Sequence, residues 1–222
     1  MNTEKYRTYG ELERRQREGI DYRIDIREGN SGIAIVAPHG GGIEPGTTEI
    51  AREIAGSEHA FYVFEGMKAT NNSDLHIKSK TFDEPRLASL VSKEEIVLTV
   101  HGCEGEEEVV YVGGLHKALK KEIHALLSHA GFRVRTSPNL KMEGKSPRNI
   151  CNRGRAGAGV QLELSRGLRK QMFLDLETYK GRDTKTDVFF KFISILRNTI
   201  WKKHIQRIGD VRRKPRYLSN ET

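Results

Sequence analysis

The sequence predicts an α/β protein with one open, mixed sheet flanked by helices. We expect a single domain spanning residues 1–222, with its core at about residues 20–210. Apolar runs such as residues 33–37 and 96–100 have the composition of strands that are buried on both faces. Amphipathic helical patterns separate such runs, and 222 residues are enough for one domain with a sizeable core.

The first half of the chain alternates strand and helix signals. Tyr22–Arg27 alternates polar and apolar residues, as a half-exposed strand does, and a Gly-Asn-Ser-Gly turn then leads into the run at residues 33–37. Residues 47–55 carry the start signal and the apolar spacing of a helix. Residues 61–66 again have the composition of a strand, and residues 85–90 predict a short helix.

The second half continues this alternation. Residues 114–130 form the clearest helical pattern, with one apolar stripe and Gly131 at its end. Residues 132–136 alternate apolar and basic residues, as a strand does, and residues 159–166 form a largely apolar strand. Residues 187–208 predict a long helix that packs its apolar side against the sheet.

Two of the apolar runs end in the dipeptide His-Gly. One leads into His39, three glycines and Glu44, and the other leads into His101. Functional groups gather at the carboxyl ends of parallel strands, so neighbouring strands would bring these side chains to one edge of the sheet. Two histidines and one carboxylate, with a fourth position open to water, are typical of a catalytic zinc site. The pattern therefore predicts that His39, Glu44 and His101 bind zinc.

Simpler interpretations of the same residues exist. A glycine-rich turn can cradle a phosphate or merely reverse the chain, and loop histidines are often hydrogen-bonded to backbone. Cys103 could serve as a thiolate ligand, although such a cysteine is more often a small packing residue. His76 could contact a substrate, although a lone histidine is more often structural. Because two similar strands end in the same way, we favour the metal site.

Glu163 interrupts the apolar alternation of its predicted strand. Burial would raise the pKa of this carboxyl, and a nearby metal or arginine would lower it, so Glu163 is a candidate general base for a metal-bound water. The polar stretch at residues 137–158 precedes this strand and contains Arg148, Arg153 and Arg155. These arginines could hold substrate carboxylates by bidentate pairing, or they could form a basic, solvated loop.

The composition restricts the class of partner. A formal net charge of +8 and a pI near 9.5 indicate an anionic partner, such as an acidic polymer, a nucleic acid or a membrane surface. Aromatic residues make up only 7% of the chain, which disfavours a single-stranded nucleic-acid binder. Two cysteines are too few for a disulfide framework. Since no signal-peptide core or membrane-spanning run is evident, we expect a reduced, cytoplasmic protein without a membrane partner, unless cell lysis releases it.

Several of these motifs together resemble the phage-type poly-γ-glutamate hydrolase family. The resemblance runs from about residue 33 to residue 169 and rests on Ala-Pro-His-Gly-Gly-Gly-Ile-Glu-Pro-Gly, Leu-His-Ile, Thr-Val-His-Gly-Cys, Arg-Asn-Ile-Cys-Asn-Arg-Gly and Gly-Val-Gln-Leu-Glu-Leu-Ser. Those enzymes are zinc peptidases, and the resemblance implies a zinc-carboxypeptidase-like fold. It also implies that His39, Glu44 and His101 are the zinc ligands and that Glu163 is the catalytic glutamate.

The resemblance extends to substrate binding, because Asn152 and Arg153 are similar to the Asn-Arg pair with which carboxypeptidases hold a carboxylate. We therefore expect a monomeric, zinc-dependent hydrolase of γ-glutamyl amide bonds in poly-γ-glutamate. A zinc amidohydrolase acting on a small N-acylated amino acid, such as N-formylglutamate, is an alternative. An alternative of another class is a basic nucleic-acid-binding module that uses the C-terminal helix, although we expect no nucleic-acid partner.

Overall fold

The strand at Ile33–Gly41 lies in the interior of the sheet, with hydrophobic cores on both of its faces. The protein is described here from a computed structural model that covers residues 4–136, 139 and 142–213, with side chains up to residue 202. Alternate side chains of the strand enter different cores, with Ile33 and Ile35 in one and Ala34 and Val36 in the other. The apolar run is therefore buried on both faces, as predicted.

In the described part of the chain, seven strands form one mixed sheet. In chain order they are β1 (Tyr22–Arg27), β2 (Ile33–Gly41), β3 (Ala60–Gly66), β4 (Ile96–Cys103), β5 (Val109–Gly113), β6 (Arg133–Arg135) and β7 (Val160–Ser165). Their order across the sheet is β1-β3-β2-β4-β7-β5-β6. The central strands β3, β2, β4 and β7 are parallel to their neighbours in that series, whereas β1 runs antiparallel to β3 and β5 antiparallel to β7.

Helices cover both faces of this sheet. They are α1 (Tyr9–Glu13), α2 (Thr47–Ala55), α3 (Pro85–Lys93), α4 (Lys117–His129), α5 (Arg166–Met172), α6 (Tyr179–Asp183) and α7 (Asp187–Arg213). Side chains of α2, α4, α5 and α7 fill one hydrophobic core, and side chains of α1 and α3 fill the core on the opposite face. The predicted open, mixed sheet flanked by helices is therefore confirmed.

Differences from the predicted elements occur at their ends. The predicted helix at residues 114–130 begins at Lys117, because the His116 side chain accepts a hydrogen bond from the Leu119 amide and caps the helix. The C-terminal helix continues to Arg213, beyond its predicted end at residue 208. Within the described part of the chain, no helix is long and apolar enough to cross a membrane.

The strand order creates a crevice at the carboxyl ends of β2 and β4. From β2 the chain passes through α2 to β3 on one side, and from β3 it passes through α3 to β4 on the other side of β2. The two connecting helices lie on opposite faces of the sheet. Open α/β sheets bind ligands at such a point of reversal in strand order. His39 on β2 and His101 on β4 lie at this crevice.

Candidate metal centre and active site

A β-bulge directs His39 into the crevice. The pairing of β2 with β3 changes register between Ala37 and Gly40, so the strand continues past His39 instead of ending before it as predicted. Bulges of this kind re-aim a side chain and are common beside active sites. Gly41 then takes a φ of +62°, a backbone conformation that residues with a side chain rarely adopt. Its N–H donates to the side chain of Thr48 on α2.

The structure brings His39, Glu44 and His101 together. Nδ1 of His39 lies 3.0 Å from Oε1 of Glu44 and 3.1 Å from Nδ1 of His101. Nδ1 of His101 lies 3.8 Å from Oε2 of Glu44. Ligand atoms that share one tetrahedral zinc at ~2.0–2.2 Å lie about 3.2–3.6 Å apart. The spacing of these three side chains therefore fits a single divalent cation.

A hydrogen bond on the far side of the His39 ring sets the direction of its lone pair, and His101 also has a polar group on its far side. Nε2 of His39 lies 2.8 Å from the carbonyl oxygen of Ile77, which can only accept, so this nitrogen carries the hydrogen. In the neutral ring Nδ1 then presents a lone pair to a carboxylate oxygen and to a second imidazole. Nε2 of His101 lies 3.4 Å from Oγ of Ser79. Converging lone pairs need a bridging proton or cation, and a hydrogen-bonded outer nitrogen is typical of metal-binding histidines.

The electrostatics of the group also favour a bound cation. Burial raises the pKa of Glu44, but the charge and hydrogen bond of His39, together with the charges of His101 and His76, lower it to about 2. Burial lowers the pKa of His39, but the charge and hydrogen bond of Glu44, together with the Ile77 carbonyl, offset burial, so the net shift is upward. For His101, burial dominates and lowers the pKa to about 3. The raised pKa of His39 favours a proton beside Glu44 in the metal-free group, and a metal, which binds a carboxylate and neutral imidazoles, would displace that proton.

Glu163 lies beside this group on the neighbouring strand. It pairs with His101 across β4 and β7, and it lines the same cavity as His39 and Glu44. Its Oε1 accepts a hydrogen bond of 2.8 Å from Nε2 of Gln161. Burial, and next the charge of Glu44, raise the pKa of Glu163 well above its usual range. A cation held by Glu44 would offset the second of these two effects.

The cavity over these residues has a volume of about 750 Å³ and a mixed charge. Among the described residues, three lysines line it, namely Lys78, Lys80 and Lys145. Reasoning from the sequence missed these lysines, although Lys-Ser-Lys directly follows the Leu-His-Ile motif. The cavity thus combines a candidate metal centre with groups that attract anions.

His76 lines the cavity as predicted, between two carboxylates. Its Nδ1 lies 3.4 Å from Oε1 of Glu4, and its Nε2 lies 3.9 Å from Oε1 of Glu44. The charge of His39, followed by burial, lowers the pKa of His76 to about 3. His76 is therefore a neutral hydrogen-bonding group at the edge of the candidate metal centre.

The predicted carboxylate clamp lies outside the cavity lining. Arg153 donates from Nη1 to the carbonyl of Phe82 and from Nη2 to that of Ser79, while its Nε donates to the carbonyl of Arg148. The Asn152 side chain donates to the backbone carbonyls of Gly144 and Ser146. Its oxygen accepts from the backbone amides of Leu115 and Gly159. Both side chains thus organise the segment that precedes β7.

The other two predicted arginines are exposed. Arg148 is not among the residues that line the cavity. Arg155 lies beside Glu95, with 3.4 Å between Nη2 and Oε2, at the amino end of β4 and therefore at the sheet edge opposite the metal group. The structure does not bring Arg155 to the cavity. Of the predicted stretch, residues 137, 138, 140 and 141 lie outside the described residues.

Such a cleft, with a two-histidine, one-carboxylate group beside a buried glutamate, is typical of metal-dependent hydrolases. Residues 6–195 match the poly-gamma-glutamate hydrolase family, and the chain belongs to this family. The UPF0714 protein YndL of Bacillus subtilis (strain 168) is 35% identical over 192 residues, which are 86% of this chain and 75% of YndL. The SPbeta prophage-derived UPF0714 protein YoqZ of the same organism is 36% identical over 198 residues, 88% of this chain and 71% of YoqZ.

Solved structures show the same relationship. The structure of a bacteriophage poly-gamma-glutamate hydrolase superimposes with a TM-score of 0.87 at 29% identity and covers 92% of this chain and 100% of its own. The zinc-free apo structure of YNDL superimposes with a TM-score of 0.86 at 33% identity and covers 90% of this chain and 99% of its own. These similarities confirm the family resemblance and the carboxypeptidase-like fold class that were predicted from the sequence.

Proposed function

We propose that this protein is a zinc-dependent hydrolase that cleaves γ-glutamyl amide bonds of poly-γ-glutamate in a single catalytic domain. The observation that carries the proposal is the convergence of the possible ligand atoms of His39, Glu44 and His101 beside the buried Glu163. Membership of the poly-gamma-glutamate hydrolase family supports the substrate, and the zinc-free state named for the YNDL structure supports the metal.

In this proposal each side chain has a defined task. His39, Glu44 and His101 hold zinc, which when bound polarises the scissile carbonyl and lowers the pKa of a water molecule. Glu163 accepts the proton of the attacking water and delivers it to the leaving amine. The raised pKa of Glu163 suits this transfer, because its carboxylate is a stronger base toward the water proton than an ordinary glutamate is.

The charge of the cavity supports a substrate rich in carboxylates. Lys78 binds Oε2 of Glu4 at 2.8 Å, and His76 approaches the other oxygen of the same carboxylate. This contact supports a carboxylate as the group that binds in this part of the cavity. We propose that Lys78, Lys80 and Lys145 bind substrate carboxylates, in place of the arginines that the sequence suggested.

The direct test is the incubation of purified poly-γ-glutamate with the protein, followed by sizing of the polymer on a gel. We expect the wild type to shorten the chain, and we expect no shortening by chelator-treated protein or by His39→Ala. Restoration by added Zn²⁺ would identify the metal. Folded, zinc-loaded protein that leaves the polymer intact would contradict the substrate, and cleavage of a small N-acylated amino acid would then favour the alternative amidohydrolase.

Replacing Glu4 should improve substrate binding. Glu4→Gln removes the carboxylate that competes with substrate for Lys78. We therefore expect KM to fall by about 1.5- to 5-fold, which corresponds to the free energy of a partly exposed ion pair. Lys78→Met should raise KM by a similar factor. Lys5→Met is the matched control, because Lys5 pairs with Asp74 instead. Steady-state cleavage of short γ-glutamyl oligomers measures the effect, and an unchanged KM in both Glu4 and Lys78 variants would contradict this subsite.

A further inference from the structure

Arg169 on α5 is a buried cation that contacts the backbone of the three segments carrying the site residues. The residue as a whole is only 2% exposed. Nη1 donates to the carbonyl of Pro45 at 2.6 Å, Nη2 to that of Cys103 at 3.0 Å and Nε to that of Leu164 at 3.1 Å. One side chain thus ties together three segments that are distant in sequence.

Each of these carbonyls lies next to a functional side chain. Pro45 directly follows Glu44, Cys103 lies two residues after His101, and Leu164 directly follows Glu163. The carbonyl oxygens accept hydrogen bonds from a charged donor, and such bonds are shorter and stronger than neutral ones. The relative positions of two candidate metal ligands and the candidate base therefore depend on the same guanidinium.

Gly102 provides the space for this contact. A Cβ at Gly102 would lie 2.6 Å from Cζ of Arg169, so only glycine lets the guanidinium lie against β4. The N–H of Gly102 donates to Oε2 of Glu44 at 2.7 Å. The same residue therefore accommodates Arg169 and holds a candidate metal ligand by its backbone.

We propose that Arg169 is a positioning residue, which sets the geometry of the metal group and of Glu163 without touching either the metal or the substrate. The proposal rests on the proposed function for the identity of the metal. Groups that orient metal ligands from outside the coordination shell typically change metal affinity by 10- to 100-fold when they are mutated.

A purely structural role would make Arg169 equivalent to Arg182, which is equally buried at 1% exposure. Arg182 donates from Nε to Glu49 at 2.9 Å and from Nη1 to the carbonyl of Leu176 at 2.7 Å, and it does not line the cavity. Arg182→Lys is therefore the matched control for the loss of a buried guanidinium elsewhere in the protein.

The test compares Arg169→Lys with Arg182→Lys for zinc affinity, by competition with a chromophoric chelator, and for Tm. We expect both variants to lose thermal stability, and only Arg169→Lys to bind zinc about 10- to 100-fold more weakly. Its kcat should fall while KM changes by less than about twofold, because the substrate-binding lysines are untouched. Wild-type zinc affinity in Arg169→Lys would overturn the proposal.

Gly102→Ala tests the same contact from the other side. The added methyl group displaces the guanidinium, so we expect a loss of zinc affinity comparable to that of Arg169→Lys, and a double variant no worse than about the larger single effect. Fully additive losses would overturn the proposal.

Failure of the proposed substrate would be visible separately, as unchanged poly-γ-glutamate in the presence of wild-type protein that binds zinc. Wild-type protein that binds no zinc would overturn both proposals.

Discussion

Glu163→Gln is expected to retain the metal and to lose about 10²- to 10⁴-fold in kcat, the usual contribution of a positioned general base. An amide has nearly the shape of the carboxyl, and its oxygen can still accept the hydrogen bond from Gln161. It cannot take up the proton of the attacking water. Since burial and Glu44 disfavour the charged carboxylate at this position, the amide should leave Tm unchanged or raise it.

The measurements are polymer shortening, zinc content and thermal unfolding of the purified variant. Glu84→Gln is a suitable control, because Glu84 is also a buried glutamate but accepts from the Leu87 amide at the start of α3. That control should keep its activity even where it loses stability. Near-normal turnover by Glu163→Gln would exclude Glu163 as the base.

His101→Ala is expected to abolish zinc binding at micromolar concentration and to remove detectable hydrolysis. His39 and Glu44 alone leave the cation with only two protein ligands, whereas catalytic zinc sites use three. A ligand at 100 times its Kd stabilises the folded state by about 2.7 kcal/mol, which corresponds to roughly 5–10 °C in Tm for a chain of this size. That zinc-dependent rise in Tm should be present in the wild type and absent in the variant.

His124→Ala is the matched control, because this histidine is exposed on α4. It should keep both the zinc-dependent rise in Tm and the hydrolysis. Thermal unfolding with chelator and with added Zn²⁺ separates loss of the metal from general instability. A His101→Ala variant that still binds zinc as the wild type does would exclude His101 from the metal site.

The sequence alone was enough to predict the sheet and the group His39, Glu44 and His101. Local composition predicts strand burial, because the exposure of a run of apolar, β-branched residues to water is unfavourable. The meeting of His39 and His101 follows from a general property of parallel strands, whose carboxyl ends share one edge. Glu163 could be named as a candidate base because a carboxylate within an apolar alternation is costly unless it has a partner or a use, and the structure places it in the cavity lining.

The roles of the arginines depended on the tertiary structure. Arg153 and Asn152 have the residue types of a carboxylate clamp, yet the fold uses them to satisfy backbone groups near β7. Arg155 lies at the other edge of the sheet. Composition cannot distinguish a guanidinium that faces a ligand from one that binds carbonyls, because both are satisfied by the same acceptors.

The contacts of Arg169 likewise depend on the tertiary structure. Nothing in the sequence around Arg169 indicates its contacts with the carbonyls of Pro45 and Cys103, which lie more than sixty positions away. Local patterns thus determined where the strands lie and which side chains end them. Contacts between distant segments decided which charged side chains line the cavity and which carbonyls Arg169 contacts. The physical reason is that a buried guanidinium must find acceptors wherever packing brings carbonyls within reach.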